Sequence, residues 1–115
     1  MDTNVDYIIV GLGLAGIAFA EELKRQGKTF VVYEDSSQTS SLVAGGMYNP
    51  VILKRFTAVW NAKEQLDIAI PFYLSLEKKL KATFDQPLDI YRTFKSIEEQ
   101  NNWFISSDQP ALQEY

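Results

Sequence analysis

The feature that most constrains the fold is a glycine-rich turn between a buried strand and a helix. The stretch "GLGLAG" places Gly11, Gly13 and Gly16 in a G-x-G-x-x-G pattern. It follows the apolar run "DYIIV" and opens a helical pattern. An acidic residue, Glu34, follows about 20 residues further on. A strand, a glycine turn, a helix and a second strand within about 30 residues predict a βαβ unit with parallel strands.

Each element of this unit has its own signal. The first strand is apolar on all sides, which is typical of a central parallel strand covered on both faces. From Leu14 onward, apolar residues recur with helical spacing and charged residues occupy the other side. Gly27 lies where a left-handed helix cap is expected. The run "TFVVYE" then predicts a second buried strand.

The three glycines would serve different purposes in a dinucleotide site. Gly11 permits the sharp turn, Gly13 lets a pyrophosphate approach the backbone, and Gly16 lets the helix pack close to the strands. The first helical N–H groups, near Leu14 and Ala15, lack partners inside the helix and would face the anion. The alternative is a strand–turn–helix that needs glycine for its backbone alone.

The acid after the second strand supports the dinucleotide interpretation. The carboxylate of Glu34 can accept hydrogen bonds from ribose hydroxyls, and it would repel a 2′-phosphate, so NADP is disfavoured. Asp35 is its neighbour on the opposite face, and we interpret it as a solvated loop acid. The glycine pattern does not choose between FAD and NAD, because both contain the ADP half that it binds.

Further elements are predicted beyond the βαβ unit. Residues 35–51 are loop-like in composition, and residues 57–84 have helical spacing, with a kink or a break into two helices expected at Pro71. The run "LDIYRTFK" alternates as a strand does. The run "SIEEQNNWF" begins with Ser96 and Glu99 at capping-box spacing and predicts a short helix.

Composition excludes several classes of function. The 115 residues contain no cysteine and no histidine, so disulfides and Ser-His-Asp or Cys-His sites cannot form, and no metal site is expected. A net charge of −4 without a basic cluster argues against nucleic-acid binding. The apolar N-terminal run lacks a basic flank and is too short to span a bilayer. We therefore expect no membrane association, and a cytoplasmic protein by default.

Three stretches together resemble a known group of enzymes. They are "IIVGLGLAGIAFAEELKRQGKTFVVYE", "SSLVAGGMYNP" and "DIYRTFKSIEEQNNW". The chain resembles the N-terminal part of the D-amino-acid-oxidase superfamily of FAD-dependent oxidoreductases. That group includes glycine oxidase, sarcosine oxidase and the oxidoreductase domain that acts in forming 5-methylaminomethyl-uridine in tRNA.

The resemblance implies a cofactor, a reaction and a set of binding residues. FAD would take a hydride from a carbon beside the nitrogen of a small amine or amino acid, so that the C–N bond is oxidised. No residue of the chain is assigned a catalytic role. The implied cofactor-binding residues are those of the glycine turn, Glu34 and the small-residue loop: Gly11, Gly13, Leu14, Ala15, Gly16, Glu34, Ser40, Ser41, Ala44, Gly45, Gly46 and Met47.

The expected architecture is α/β, with a Rossmann-like dinucleotide-binding unit first. We expect the βαβ unit and its loop over residues 1–56, a helical segment over 57–85, and the start of a second, α+β substrate domain over 86–115. Because the related enzymes are several times longer, we expect an N-terminal fragment that binds FAD weakly or not at all by itself. Exposed apolar surface would favour self-association, with residues 57–84 as the contact.

Other interpretations remain open at this point. A non-catalytic module that binds FAD or NAD without turnover would carry the same glycine turn, and a cofactor-free fragment would need it for folding alone. Lys54 and Arg55 could neutralise a phosphate or attract an acidic substrate, or could be a solvated surface pair.

Overall fold

The computed structural model describes residues 4–37 and 39–115. The chain divides into two compact units, Met1–Met47 and Tyr48–Tyr115. The three segments predicted from the sequence have other boundaries, after residues 56 and 85. Within its described residues the chain is a mixed α/β protein with a two-stranded parallel sheet and several helices. No helix in these two described ranges is long and apolar enough to cross a membrane.

The first unit begins with a βαβ arrangement. Strand β1 (Tyr7–Val10) leads to helix α1 (Leu14–Arg25), which returns the chain to strand β2 (Phe30–Tyr33). The two strands are parallel, with Tyr7 opposite Phe30 and Val10 opposite Tyr33. The predicted parallel βαβ connection is therefore present.

Helix α1 covers one face of this sheet. Ile9 of β1 packs with Ala20 and Leu23 of α1, and all three are buried. The opposite face is open: Ile8 and Val10 are 64% and 83% exposed. In the described residues β1 is therefore covered on one face only, since one helix reaches one face, and the other face is part of the exposed apolar surface expected from the sequence.

The end of α1 forms as predicted. Gly27 has φ +68, and its N–H donates to the Lys24 carbonyl at 3.1 Å. The N–H of Lys28 donates to the Leu23 carbonyl at 2.9 Å. These two bonds are the Schellman pattern, and they turn the chain directly into β2. A short helix, α2 (Ser40–Val43), follows in the stretch predicted to be a loop.

The second unit starts with a hairpin that the sequence did not predict. Strands β3 (Val51–Ile52) and β4 (Thr57–Ala58) pair antiparallel. Helix α3 runs from Ala62 to Leu80, so the helix predicted over 57–84 is shorter at both ends. Left-handed backbone at Asn61 and Lys81 sets both limits. Helix α3 continues through Pro71, so the alternative of two separate helices is wrong.

The last predicted strand is absent, whereas the last predicted helix is present. Residues 88–95 form no strand, because no described segment pairs with them. Helix α4 (Ile97–Ser107) begins at Ser96, whose hydroxyl accepts the Glu99 N–H at 3.1 Å. The Glu99 carboxylate accepts the Lys95 N–H at 2.6 Å, so the reciprocal bond of the capping box reaches one residue further back.

Candidate functional site

The glycine turn connects the carboxyl end of β1 to the amino end of α1. The N–H of Gly11 donates to the Tyr33 carbonyl at 2.8 Å, which continues the parallel pairing beyond β1. Gly11 then turns with φ +89, a conformation that side chains rarely tolerate. The backbone itself thus requires glycine at this position.

Gly16 is required for a different reason. A Cβ atom at Gly16 would lie 2.2 Å from the carbonyl oxygen of Gly11 and 3.6 Å from a methyl group of Ile9. The first turn of α1 therefore crosses the turn closely enough that no side chain fits. This is the close approach that the sequence predicted for the third glycine.

Gly13 differs from both, because the described structure does not need it to be glycine. Its φ of −72 is open to any residue. A Cβ atom there would meet one side-chain atom, the Ser41 hydroxyl oxygen at 3.3 Å. The space next to Gly13 is therefore free of backbone.

The amino end of α1 presents backbone donors without a side-chain cap. Gly13 is the N-cap residue and supplies no capping hydrogen bond, and the first turn carries no acidic residue. Leu14 and Ala15, which start the helix, are exposed. The partial positive charge of the helix terminus is consequently available to an anion.

Glu34 points into the same region from the end of β2. One carboxylate oxygen accepts the N–H of Leu12, and the other accepts the N–H of Ser36 at 2.7 Å. Ser36 lies three residues after the end of β2 and adopts a left-handed backbone with φ 59. The carboxylate is thus held in a fixed orientation beside the glycine turn.

These groups share one open cavity of 310 Å³. Gly13, the start of α1 and Glu34 line it together, as expected for the two halves of the predicted site. Leu12, Ile17, Ser36 and Leu42 also line it, although the sequence did not single them out. Ser36 could have been suspected, because Asp and Ser are common turn residues and the pair Asp35-Ser36 follows soon after β2.

The small-residue loop contributes only in part. Ser41 lines the cavity, whereas its neighbours Ser40, Ala44, Gly45, Gly46 and Met47 do not belong to the lining. Met47 is 78% exposed. Gly46 has φ +69, so its backbone requires glycine, but Gly45 is free of both strain and close neighbours.

Asp35 does not line the cavity at the start of α1. It lines a second cavity of 400 Å³ with Val10, Tyr33 and Ser37, and Gly11 and Glu34 of the candidate site line this second cavity too. Its carboxylate accepts the Ser37 N–H at 2.9 Å. The hydroxyl and the N–H of Ser37 lower the pKa of Asp35 below its ordinary value. These contacts are those of a solvated turn acid.

No model of a protein family matches the chain, and no solved structure matches it significantly.

Proposed function

We propose that the β1–α1–β2 unit is a Rossmann-like unit that binds the ADP half of a dinucleotide. The pyrophosphate would lie over Gly13, against the N–H groups at the start of α1. The adenosine ribose would donate its hydroxyls to Glu34. The proposal is supported by the fact that a single cavity is lined by all three parts.

The observation that carries the proposal is the contrast among the three glycines. Backbone strain accounts for Gly11, and close packing accounts for Gly16. Neither accounts for Gly13, which lines the cavity and where a Cβ atom would meet the Ser41 hydroxyl oxygen but no backbone atom. Folding does not require glycine at this position, which lies at the amino end of an uncapped helix. A glycine there allows a pyrophosphate to approach the backbone closely.

The orientation of Glu34 fits the ribose role. A carboxylate has about four lone-pair positions on its two oxygens. The N–H groups of Leu12 and Ser36 occupy one on each oxygen, so acceptor positions remain for hydroxyls. The same negative charge would lie against the 2′-phosphate of NADP, and this cofactor is disfavoured.

The choice of FAD and of the reaction rests on the resemblance described above. The residues of the first unit fit the ADP half, while the loop residues Ala44 to Met47 do not line that cavity. When bound, FAD would accept a hydride from the carbon beside an amine nitrogen. In this proposal the chain is the FAD-binding N-terminal portion of an oxidoreductase acting on the C–N bond of an amine or amino acid.

The experiment is a titration with FAD, NAD and NADP, followed by flavin fluorescence or calorimetry. We expect the full-length protein to bind FAD and not NADP, and this chain alone to bind FAD weakly or not at all. Gly13→Asp should abolish FAD binding, because it places bulk and negative charge where the pyrophosphate would lie. Asn101→Asp adds the same charge on exposed α4 and should leave binding unchanged.

Turnover separates an enzyme from a module that merely holds the cofactor. Anaerobic addition of small amines or amino acids to the flavin-loaded natural protein should bleach the flavin absorbance. Flavin that binds in a Gly13-dependent way but is bleached by no amine would favour the non-catalytic module. Equal FAD content in the natural protein and its Gly13→Asp variant would contradict the site itself.

A further inference from the structure

A cavity of 500 Å³ lies within the second unit, between the β3–β4 turn and the start of α4. Lys54 and Arg55 line it from the turn, and Lys95 lines it from the residue before the Ser96 cap. Two separate stretches of the chain thus bring three cations to one cavity. The chain as a whole has a net charge of −4, so this is a local reversal of its charge.

The positive charges of the turn are compensated only in part by the acids that line the cavity. Neither Lys54 nor Arg55 forms an ion pair with any residue in the described part of the chain. By contrast, Arg92 pairs with Glu99, which is one of the two acids lining the cavity. The other acid, Glu98, is left to face the three cations. The cavity therefore retains an excess of positive charge.

A packed aromatic floor holds the turn in place. Phe56 follows Arg55, and its side chain is only 6% exposed. Its ring contacts Trp103 of α4 edge-on, with centroids 5.3 Å apart, and the Arg92 guanidinium lies 5.4 Å from its centroid. The cations are thus attached to a turn that is fixed against α4.

The backbone at Phe56 is strained. Its φ of 50 is a left-handed conformation, which is unfavourable for a bulky residue and occurs preferentially at functional sites. Burial of the ring offsets this strain. The consequence is that the ring points inward while the two preceding cations line the cavity.

We propose that this cavity binds a small molecule through a doubly charged oxyanion, with a phosphate monoester as the ligand class. Arg55 offers a planar fork that matches phosphate oxygens, and the two lysines add point charges. Asn102 and Ser106 line the same cavity and carry neutral donors. Its volume lies in the range of small-molecule sites. All lining residues belong to the second unit, so the inference does not depend on the dinucleotide proposal.

The test is an amide NMR titration of the whole chain at low salt and pH 8. The probes are inorganic phosphate, glycerol 3-phosphate and succinate, added separately. We expect saturable shifts at residues 54–56 and 95–106 with both phosphates, and tighter binding for the monoester. Saturation by succinate at equal affinity would instead identify a dicarboxylate site and overturn the phosphate assignment. Shifts that never saturate would overturn the site.

Three variants separate this site from general charge attraction. Arg55→Gln should weaken glycerol 3-phosphate binding by about tenfold, as expected when a charge-assisted pair of hydrogen bonds is lost. Glu98→Gln should tighten it several-fold, because it removes the acid that competes with the ligand. Lys78→Gln on exposed α3 removes an equal charge outside the cavity and should change nothing. Equal weakening by Arg55→Gln and Lys78→Gln would contradict the proposal.

Discussion

At the residue scale, Gly13 and Gly16 belong to the same sequence pattern, but the fold requires glycine at only one of the two positions. They lie three positions apart at the start of α1, and both are glycine in "GLGLAG". A Cβ at Gly16 would lie 2.2 Å from backbone, whereas one at Gly13 would meet the end of a flexible serine side chain. Folding therefore constrains Gly16, and the space beside Gly13 is left for something else.

This contrast predicts unequal effects of alanine on stability. Gly16→Ala gains about 1 kcal/mol of helix propensity, but its contact is severe enough that overpacking of about 1–3 kcal/mol or more should exceed that gain. Gly13→Ala should cost no more than about 1 kcal/mol, as for an N-cap glycine replaced by alanine. Denaturant unfolding followed by circular dichroism measures both. Similar losses for the two variants would show that the fold does not distinguish the two positions.

At the element scale, local signals explain which elements could be predicted. The Gly27 cap and the Ser96 cap each act within five residues, and both appear where the sequence indicated. The prediction of a strand over 88–95 was wrong, because alternating apolar and polar residues in one segment do not provide a second strand to pair with it. The β3–β4 hairpin was missed because its two-residue strands are too short to show a period. Burial of Phe56 depends on Trp103, which is distant in sequence.

The residues of the candidate site also divide into those that sequence signals predict and those that they do not. Gly11, Gly13, Gly16 and Glu34 could be predicted because the spacing of a βαβ unit fixes them relative to one another. The loop after β2 could not be placed, since small residues carry little periodic information. Of its predicted members, Ser41 alone lines the cavity. Contacts of Glu34 with Leu12 and Ser36 depend on side-chain direction, which sequence spacing does not specify.

Asp6 and Thr29 join the starts of β1 and β2, and this pair predicts a pH dependence. The Asp6 carboxylate accepts the Thr29 N–H at 2.8 Å and its hydroxyl at 2.9 Å. The backbone bond first, and then the hydroxyl, lower the pKa of Asp6 below 3.8. A lowered folded-state pKa stabilises the fold above the unfolded-state value, and this contribution is lost as the pH falls through the folded-state pKa.

Asp6→Asn should therefore flatten the acid limb of the stability curve. The wild-type chain should lose stability more steeply than the variant between about pH 5 and pH 2, and the difference should vanish at the acid end. The control is Asp89→Asn, because exposed Asp89 accepts no hydrogen bond from a described residue. Urea unfolding at each pH provides the measurement. Parallel curves for wild type and Asp6→Asn would refute the linkage.

At the scale of the whole molecule, apolar surface remains exposed in both units. In the first unit, Ile8 and Val10 are exposed on the sheet face opposite α1, and Tyr33 is 61% exposed. In the second unit, Ile68 of α3 is 74% exposed. Parallel sheets are normally covered on both faces, so the open sheet face is the more unusual of the two surfaces.

This exposure predicts self-association that depends on concentration. Ile8→Lys should reduce it, because a charge on the open sheet face opposes apolar contact. Ile68→Lys tests the earlier expectation that residues 57–84 form the contact. Light scattering over a concentration series distinguishes the two faces. A wild-type chain that stays monomeric throughout the series would contradict self-association through either face.

The central claim is that the amino end of α1 binds the ADP half of a dinucleotide. Its most direct test is an amide NMR titration of the chain and its Gly13→Asp variant with ADP, with Asn101→Asp as the control for charge. We predict saturable shifts at residues 11–17 and 34–36 in the wild-type and control chains, and none there in Gly13→Asp. Shifts confined to other residues, or an unchanged ADP affinity in Gly13→Asp, would contradict the claim.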